Sequence, residues 1–425
     1  EALGERGHGV EIFEAGAGLG GRIVPETLGE REISMGGKNI GYRYERFRTL
    51  LARRGFDRYE YFGPDSGQLV RGKVKTLSFS DPKMRARIGM RLFTHAQVGR
   101  GMRFLKLASQ VKRDDDSKFL GHPFFARLAA ETGDPTLPEY VGTELCKDVI
   151  RHMTVRMNGA EPDECHIGNV GSNLALVVDK FDQLAGDGFG PWIREVAAAH
   201  TTHTGTPVAS LTASGGRVTG VVTADGEERS GFDGVVLATP APQSAAILTG
   251  TDAELAGLLE TIRYHPVAVV VAEYDRPAFP DEFAALTAPH GMALSNAGSY
   301  GLDARHIVRW TFSGRPARGR IERGDFDPEA LLHEAETFLG RHAPIADAKR
   351  VGYRAHSFEP GLCAYRRDHA TFLQQAERLL DTHPGLAIAG DYVRGASLEA
   401  CVRSGEQAAE RAASGAGTRQ SVPST

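Results

Sequence analysis

Cysteine is scarce and poorly spaced: Cys146, Cys165, Cys363 and Cys401 are the only four in 425 residues, and no C-x-x-C pair occurs. Zinc-finger spacing is therefore excluded, a disulfide framework is not expected, and a reducing, cytoplasmic setting is. Long apolar runs are missing as well. Val267-Ala268-Val269-Val270-Val271-Ala272 is typical of the longest, whereas a membrane-spanning helix needs about 20 residues. Peripheral contact with a membrane stays compatible with the sequence. No basic-then-apolar leader opens the chain. Positive charge is not in excess either: Lys+Arg 50 against Asp+Glu 54 leaves a formal -4, which argues against a nucleic-acid partner. G-x-S-x-G is absent, so serine catalysis of that type has no support. His152, His200 and His203 lack carboxylates at ligand spacing, and no metal is expected. The length, with 41% hydrophobic residues, suits a globular protein of two or three domains.

The first fourteen residues read as a helix end over 1–6, a stop at Gly7 and Gly9, and a short apolar strand of Val10, Ile12 and Phe13 ending on Glu14. That is the second half of a βαβ unit. A helix is predicted over 43–54, with Phe47, Leu50 and Leu51 on one face. From about 57 to 165 the pattern is mostly helical, with weak strand signals near 68–80. After 200 the texture changes. Strands at 207–211 and 217–222 and a third beyond Asp225-Gly226 form a meander. It feeds 234–240, a run apolar enough for a strand buried on both faces of a parallel sheet. Further strands are expected at 267–274 and 306–312. Asp327 caps a helix with Pro328 in its first turn, and Leu331, Leu332, Ala335, Phe338 and Leu339 form its buried stripe. A buried strand over 386–391 and a helix over about 397–413 close the fold. The tail, 414–425, is expected to be disordered.

Glu14, at the carboxyl end of a strand, stands where dinucleotide-binding folds place the acid that accepts ribose hydroxyls. A surface acid at a strand end is the bland alternative. The adjoining segment favours the first reading: Ala15-Gly16-Ala17-Gly18-Leu19-Gly20-Gly21-Arg22 combines glycines that let the backbone approach a phosphate or flat ring with a fixed cation.

Glu14 through Arg22 resembles the E-A-x-x-x-x-G-G-R signature of the flavoprotein superfamily of amine oxidases, protoporphyrinogen oxidases and carotenoid desaturases. Three more blocks are similar, in the same order. Met35-Gly36-Gly37-Lys38-Asn39-Ile40-Gly41 resembles the second glycine segment, with Ser34 where an acid is usual. Residues 206–240 resemble the block that carries Val208, whose backbone would meet the adenine. Ala389-Gly390-Asp391-Tyr392 with Ser397-Leu398-Glu399-Ala400-Cys401-Val402-Arg403-Ser404-Gly405 resembles the closing G-D…S-x-E-x-A-x-x-S-G motif. The resemblance implies FAD as cofactor, bound by Glu14, Gly20, Gly21, Arg22, Gly36, Gly37, Val208, Gly390, Asp391, Ser397 and Leu398. The N-terminus of the closing helix would face the flavin, whose reduced form is negative.

The implied fold is α/β: a discontinuous Rossmann-like FAD-binding domain over 1–56, 186–248 and 380–413, with an inserted α+β substrate domain over 57–185 and 249–379. The superfamily's opening strand and G-x-G-x-x-G are missing; about 20–30 upstream residues carrying them are expected, from the size of a strand–loop–helix unit. Amine oxidases commonly place an aromatic beside the flavin just before the closing helix, and Val393-Arg394-Gly395-Ala396 has none. The short spacing from Asp391 to Ser397 is more similar to desaturases, hydroxysqualene dehydroxylases and protoporphyrinogen oxidases. His369-Ala370-Thr371-Phe372 resembles a desaturase R-A-T-F segment, although Phe372 equally suits a core. The expected activity is hydride removal from an apolar or mixed small molecule, with oxygen or another acceptor taking the electrons. Phe104, Leu105, Phe124, Phe125 and Phe283 are candidates to line its pocket or to pack the inserted domain. Amine oxidation is the alternative, and an isomerase or a non-catalytic FAD-binding protein a third. No catalytic base is assigned.

Overall fold

Alternation decides the largest sheet. In the strand Ile307–Phe312, Val308, Trp310 and Phe312 are buried on one face while Arg309 and Thr311 are half-buried on the other. The computed structural model describes residues 1–61, 66–70, 73–77 and 98–414. Among these, seven strands form one sheet, ordered Arg350–Ala364, Arg263–Tyr274, Ile307–Phe312, Leu294–Ser299, Ala285–Thr287, Ser66–Val70 and Lys73–Leu77. The apolar run in Arg263–Tyr274 has no polar alternation because both of its faces are covered. Ala268, Val270 and Ala272 pack under the helices Arg315–Glu322 and Pro328–Leu339. Val267, Val269 and Val271 pack against Leu28 and Ile33 of the hairpin Pro25–Leu28 and Arg31–Ser34 and against Met35, the next residue. This second contact fixes the segment that runs on into Gly36.

The helix Pro328–Leu339 is capped by Asp327, whose Oδ1 accepts the Glu329 N–H at 3.0 Å, and all five residues of its expected stripe are buried. A separate helical layer spans 98–178, with Phe104, Leu107, Val111, Phe125, Val141 and Leu174 in its core. The meander is Val208–Ser214, Arg217–Thr223 and Glu228–Ser230.

Parallel pairing occurs in two pieces. Glu11–Phe13 pairs with Thr201–His203, and Val235–Leu237 pairs with Leu386–Ile388. No ladder joins the pairs among the described residues. Leu386, Ala387 and Ile388 are buried, but Val235 and Val236 stay half-buried rather than enclosed on both faces. The expected helix over 43–54 is Glu45–Ala52, and the strand signal near 68–80 corresponds to Ser66–Val70 and Lys73–Leu77, with 78–80 outside the described residues. The tail beyond Ser414 also lies outside them.

Candidate functional site

The loop leaving the strand Glu11–Phe13 is held by its own acid. Glu14 sits at the carboxyl end of that strand, and its Oε1 accepts the Gly16 N–H at 2.7 Å. Its main-chain carbonyl accepts the Thr206 N–H at 2.9 Å, which brings Glu14 beside the start of the strand Val208–Ser214. Val208 and Phe13 pack against the same core. The loop then turns through Gly20 (φ +121°) and Gly21 (φ +48°), a region glycine adopts most readily.

Gly36 is required by a backbone crossing. Its N–H donates to the Ile23 carbonyl at 2.9 Å, and a Cβ there would lie 1.7 Å from the Arg22 carbonyl oxygen. The Gly37 N–H donates to that same oxygen at 3.3 Å. A Cβ on Gly37 would stand 3.6 Å from the Leu398 side chain. Three segments distant in sequence, 20–22, 36–37 and 397–398, thus converge. Ser397 caps the helix Leu398–Ser414 by accepting the Ala400 N–H at 3.1 Å.

Asp391 follows the strand Leu386–Ile388 after two residues and is buried. Its Oδ2 pairs with the Arg22 guanidinium at 2.6 Å, and its Oδ1 accepts the Tyr264 hydroxyl at 2.6 Å. Arg22 also lies over the Tyr264 ring, 5.4 Å from its centroid. Burial, reinforced by Cys363 and then Asp391, pushes the Tyr264 phenol far above its usual range, so it stays a donor. The Gly390 N–H donates to Ser404 Oγ at 3.0 Å.

Several partners of these residues carry no motif signal of their own. Tyr264 is one. Lys38, by contrast, stands inside the second glycine segment; it is buried and donates from Nζ to Gln183 Oε1 at 2.6 Å and to the Tyr300 carbonyl at 2.9 Å. Burial first, then Arg309, pushes its ammonium well below the usual lysine range. Glu399 does stand in the closing motif. It is fully buried and accepts the Phe47 N–H at 2.9 Å and the Arg46 N–H at 3.3 Å, capping the helix Glu45–Ala52 from outside.

Beside the start of the closing helix lies a narrow cleft lined by Tyr44, Met157, Ala175, Leu176 and Phe181 together with Lys118, Ser172, Gly395 and Ser397. Phe104 and Phe125 belong to the helical core and Phe283 to the sheet core, Phe124 packs edge-on against Phe125, and Leu105 is exposed. Although residues 393–396 have no aromatic, Tyr365 approaches from the neighbouring strand end: its hydroxyl is 4.0 Å from where a Gly395 Cβ would be. Tyr392 points into the core, and its carbonyl meets His369 Nε2 at 2.8 Å. Phe372 is a core residue.

The profile of the flavin-containing amine oxidoreductases matches residues 1–413. The chain belongs to that family. It is accordingly an FAD-dependent oxidoreductase. Its fold is similar to that of cyclohexylamine oxidase from Brevibacterium oxydans IH-35A, at 18% identity and TM-score 0.73 over 97% of this chain and 95% of that one. A protein assigned as a protoporphyrinogen oxidase, from Exiguobacterium sp. 255-15, is similar at 19% identity and TM-score 0.67 over 96% and 94%. A putrescine oxidase bound to putrescine matches at 14% identity and TM-score 0.71 over 96% and 94%.

The residues present fit a flavin dinucleotide. The N–H groups of Gly18 and Gly20 meet no acceptor among the described residues. A Cβ on Gly18 or Gly21 would meet nothing within 4 Å, so a flat or anionic group can approach the backbone there. Both Asp391 oxygens are engaged, yet a carboxylate has about four acceptor positions and keeps capacity for a hydroxyl. No helix among the described residues is long and apolar enough to cross a membrane.

Proposed function

We propose that the chain dehydrogenates an apolar or mixed small molecule, with the oxidised bond held over the Gly36–Gly37 turn at the start of the closing helix. The observation that carries this is the convergence of Gly36, Gly37, Ser397 and Leu398 beside a cleft walled by Tyr44, Met157, Leu176 and Phe181. Glu14 and Val208 would hold the adenosine end of FAD, and Gly20, Gly21, Arg22, Gly390 and Asp391 the middle. Bound FAD would supply a two-electron acceptor. The chain's own part is to orient the substrate and exclude water, which the apolar side chains of the cleft serve. On this reading 1–56, 186–248 and 380–413 form the cofactor domain and the remaining segments the substrate domain. Four unpaired cysteines suit a reducing, cytoplasmic location.

Amine oxidation is the second reading, favoured by Tyr365 next to Gly395, an aromatic at the approach to the closing helix. Anaerobic mixing separates the two. Under the first reading, non-amine compounds with an activated C–H bond bleach the flavin absorbance and simple amines do not. Bleaching by amines alone would overturn it. Turnover with no electron acceptor at all would identify an isomerase.

A further inference from the structure

One helix turns apolar side chains to both of its faces. In Val98–Arg113, Gly101, Phe104, Leu107 and Val111 are buried, the last three in the helical core. Val98, Met102 and Leu105 recur at helical spacing on the far side, 43%, 57% and 44% exposed. Single exposed apolar residues are ordinary, but of the seven large ones exposed among the described residues, three stand on this stripe.

The stripe is bordered by charge of one sign. Arg100, Arg103, Lys106, Lys112 and Arg113 are exposed, and the helix contains no acid. Arg103 rests on Tyr140, a neutral partner, and Lys106 and Lys112 form no hydrogen bond or ion pair among the described residues. The acids that follow the helix are already engaged. Asp114 meets His122 at 3.1 Å, Asp115 meets Arg43 at 2.7 Å and Asp116 meets Arg403 at 3.2 Å. On a chain of formal charge -4, five cations on one helix mark out a face.

We propose that Val98–Arg113 is a lipid-binding face that seats the protein on an anionic bilayer. Val98, Met102 and Leu105 enter the acyl boundary, and the flanking cations meet the headgroups. Charge complementarity selects this occupant. A second copy would set the same cations against one another. A protein partner is gripped by anchors in fitted pockets, which a convex helix face with three aliphatic side chains does not offer and a fluid surface does not need. The helix also backs the cleft. Phe104, Leu107 and Val111 pack with Val170 and Leu174 of the helix Val170–Val178, which presents Ser172, Ala175 and Leu176 to the cleft. An apolar substrate dissolved in the bilayer would thus meet the protein one helix away from that cleft. Only this delivery step rests on the dehydrogenation reading; the lipid contact stands without it.

The test is co-sedimentation of the flavin-loaded full chain with vesicles of phosphatidylcholine, alone or mixed equally with phosphatidylglycerol. Wild type is expected to partition about tenfold more strongly to the mixed vesicles, and raised salt to narrow the difference. Met102→Glu with Leu105→Glu is expected to weaken binding about tenfold or more, and Lys106→Glu with Lys112→Glu to reduce the preference for anionic lipid severalfold. Both pairs alter exposed side chains, so melting temperature and flavin content are expected to match wild type. Met102→Ser with Leu105→Ser is the milder pair should the glutamates lower either. Absence of binding to the mixed vesicles would overturn the proposal. So would unchanged binding by both apolar pairs, or a wild-type dimer that they disperse, since the stripe would then serve a second copy. Anion-selective binding that these pairs abolish, in an enzyme that oxidises amines alone, would instead sink the dehydrogenation reading and leave the lipid face standing.

Discussion

Arg22 and Asp391, 369 positions apart, meet at 2.6 Å where the glycine loop crosses the end of the strand Leu386–Ile388. The Asp391 side chain is 4% exposed and that of Arg22 33%, so the acid is the more deeply buried member. One side of the site is therefore fastened by a charge pair, with Tyr264 as its third point.

Asp391→Ala removes the acceptor for both donors. Stability to urea is expected to fall by about 1–3 kcal/mol, since the Tyr264 hydroxyl is left without its partner. The flavin-to-protein absorbance ratio is expected to fall as well. Full flavin content in this variant would remove Asp391 from the cofactor site.

Glu14→Ala separates binding from folding. The residue is half-buried and its side chain makes one hydrogen bond among the described residues, from the Gly16 N–H, so the loss of stability is expected to stay under about 1 kcal/mol. FAD affinity, titrated by fluorescence on the apoprotein, is expected to weaken about tenfold. An unchanged affinity would make Glu14 a loop-holding acid only.

Gly36→Ala places a methyl group into the Arg22 carbonyl, 1.7 Å away. Backbone must move to admit it, at a cost of about 3 kcal/mol. Because the same crossing carries Gly37 and Arg22, flavin loss is expected together with a lowered melting temperature. A variant with normal stability would show that the segments are not tied.

Burial pushes the His369 imidazole down to about 4, partly opposed by its bond to the Tyr392 carbonyl. The unfolded chain thus binds a proton more readily than the folded one. The contribution of neutral His369 is whole above an unfolded value of about 6.5. It is lost as pH falls towards 4, at on the order of 1.4 kcal/mol per pH unit. His369→Gln keeps a donor for the carbonyl and removes the titration. Urea midpoints compared at pH 7 and pH 5 should show a smaller drop in the variant; equal drops would assign the acid sensitivity to other groups.

The cofactor side of the fold was readable because its demands are local. A backbone crossing that excludes Cβ leaves a glycine at 36, and a loop tied at the end of a strand leaves an acid at 14 to accept the Gly16 N–H. The substrate side was not, because its constraints are distant. Arg309 stands alone in sequence and gains meaning only when the Ser34 carbonyl is brought to it. The strand Arg350–Ala364 escaped reading because it is an edge strand, where Arg354, His356 and Ser357 break the apolar pattern. Tyr365 was missed for a similar reason: it approaches Gly395 from thirty positions away in sequence.

Glu399 has a consequence for how the protein is made. It caps the helix Glu45–Ala52 across 352 positions, so an earlier element waits, donors unsatisfied, for an acid that is synthesised 352 residues later. Until then the nascent chain exposes the apolar face of that helix, Phe47 and Leu51. Folding of such long-range topology is slow and open to aggregation. Expression yield should therefore depend on chaperone supply, and ribosomes stalled before the closing helix should hold a chain that proteases cut within 45–52.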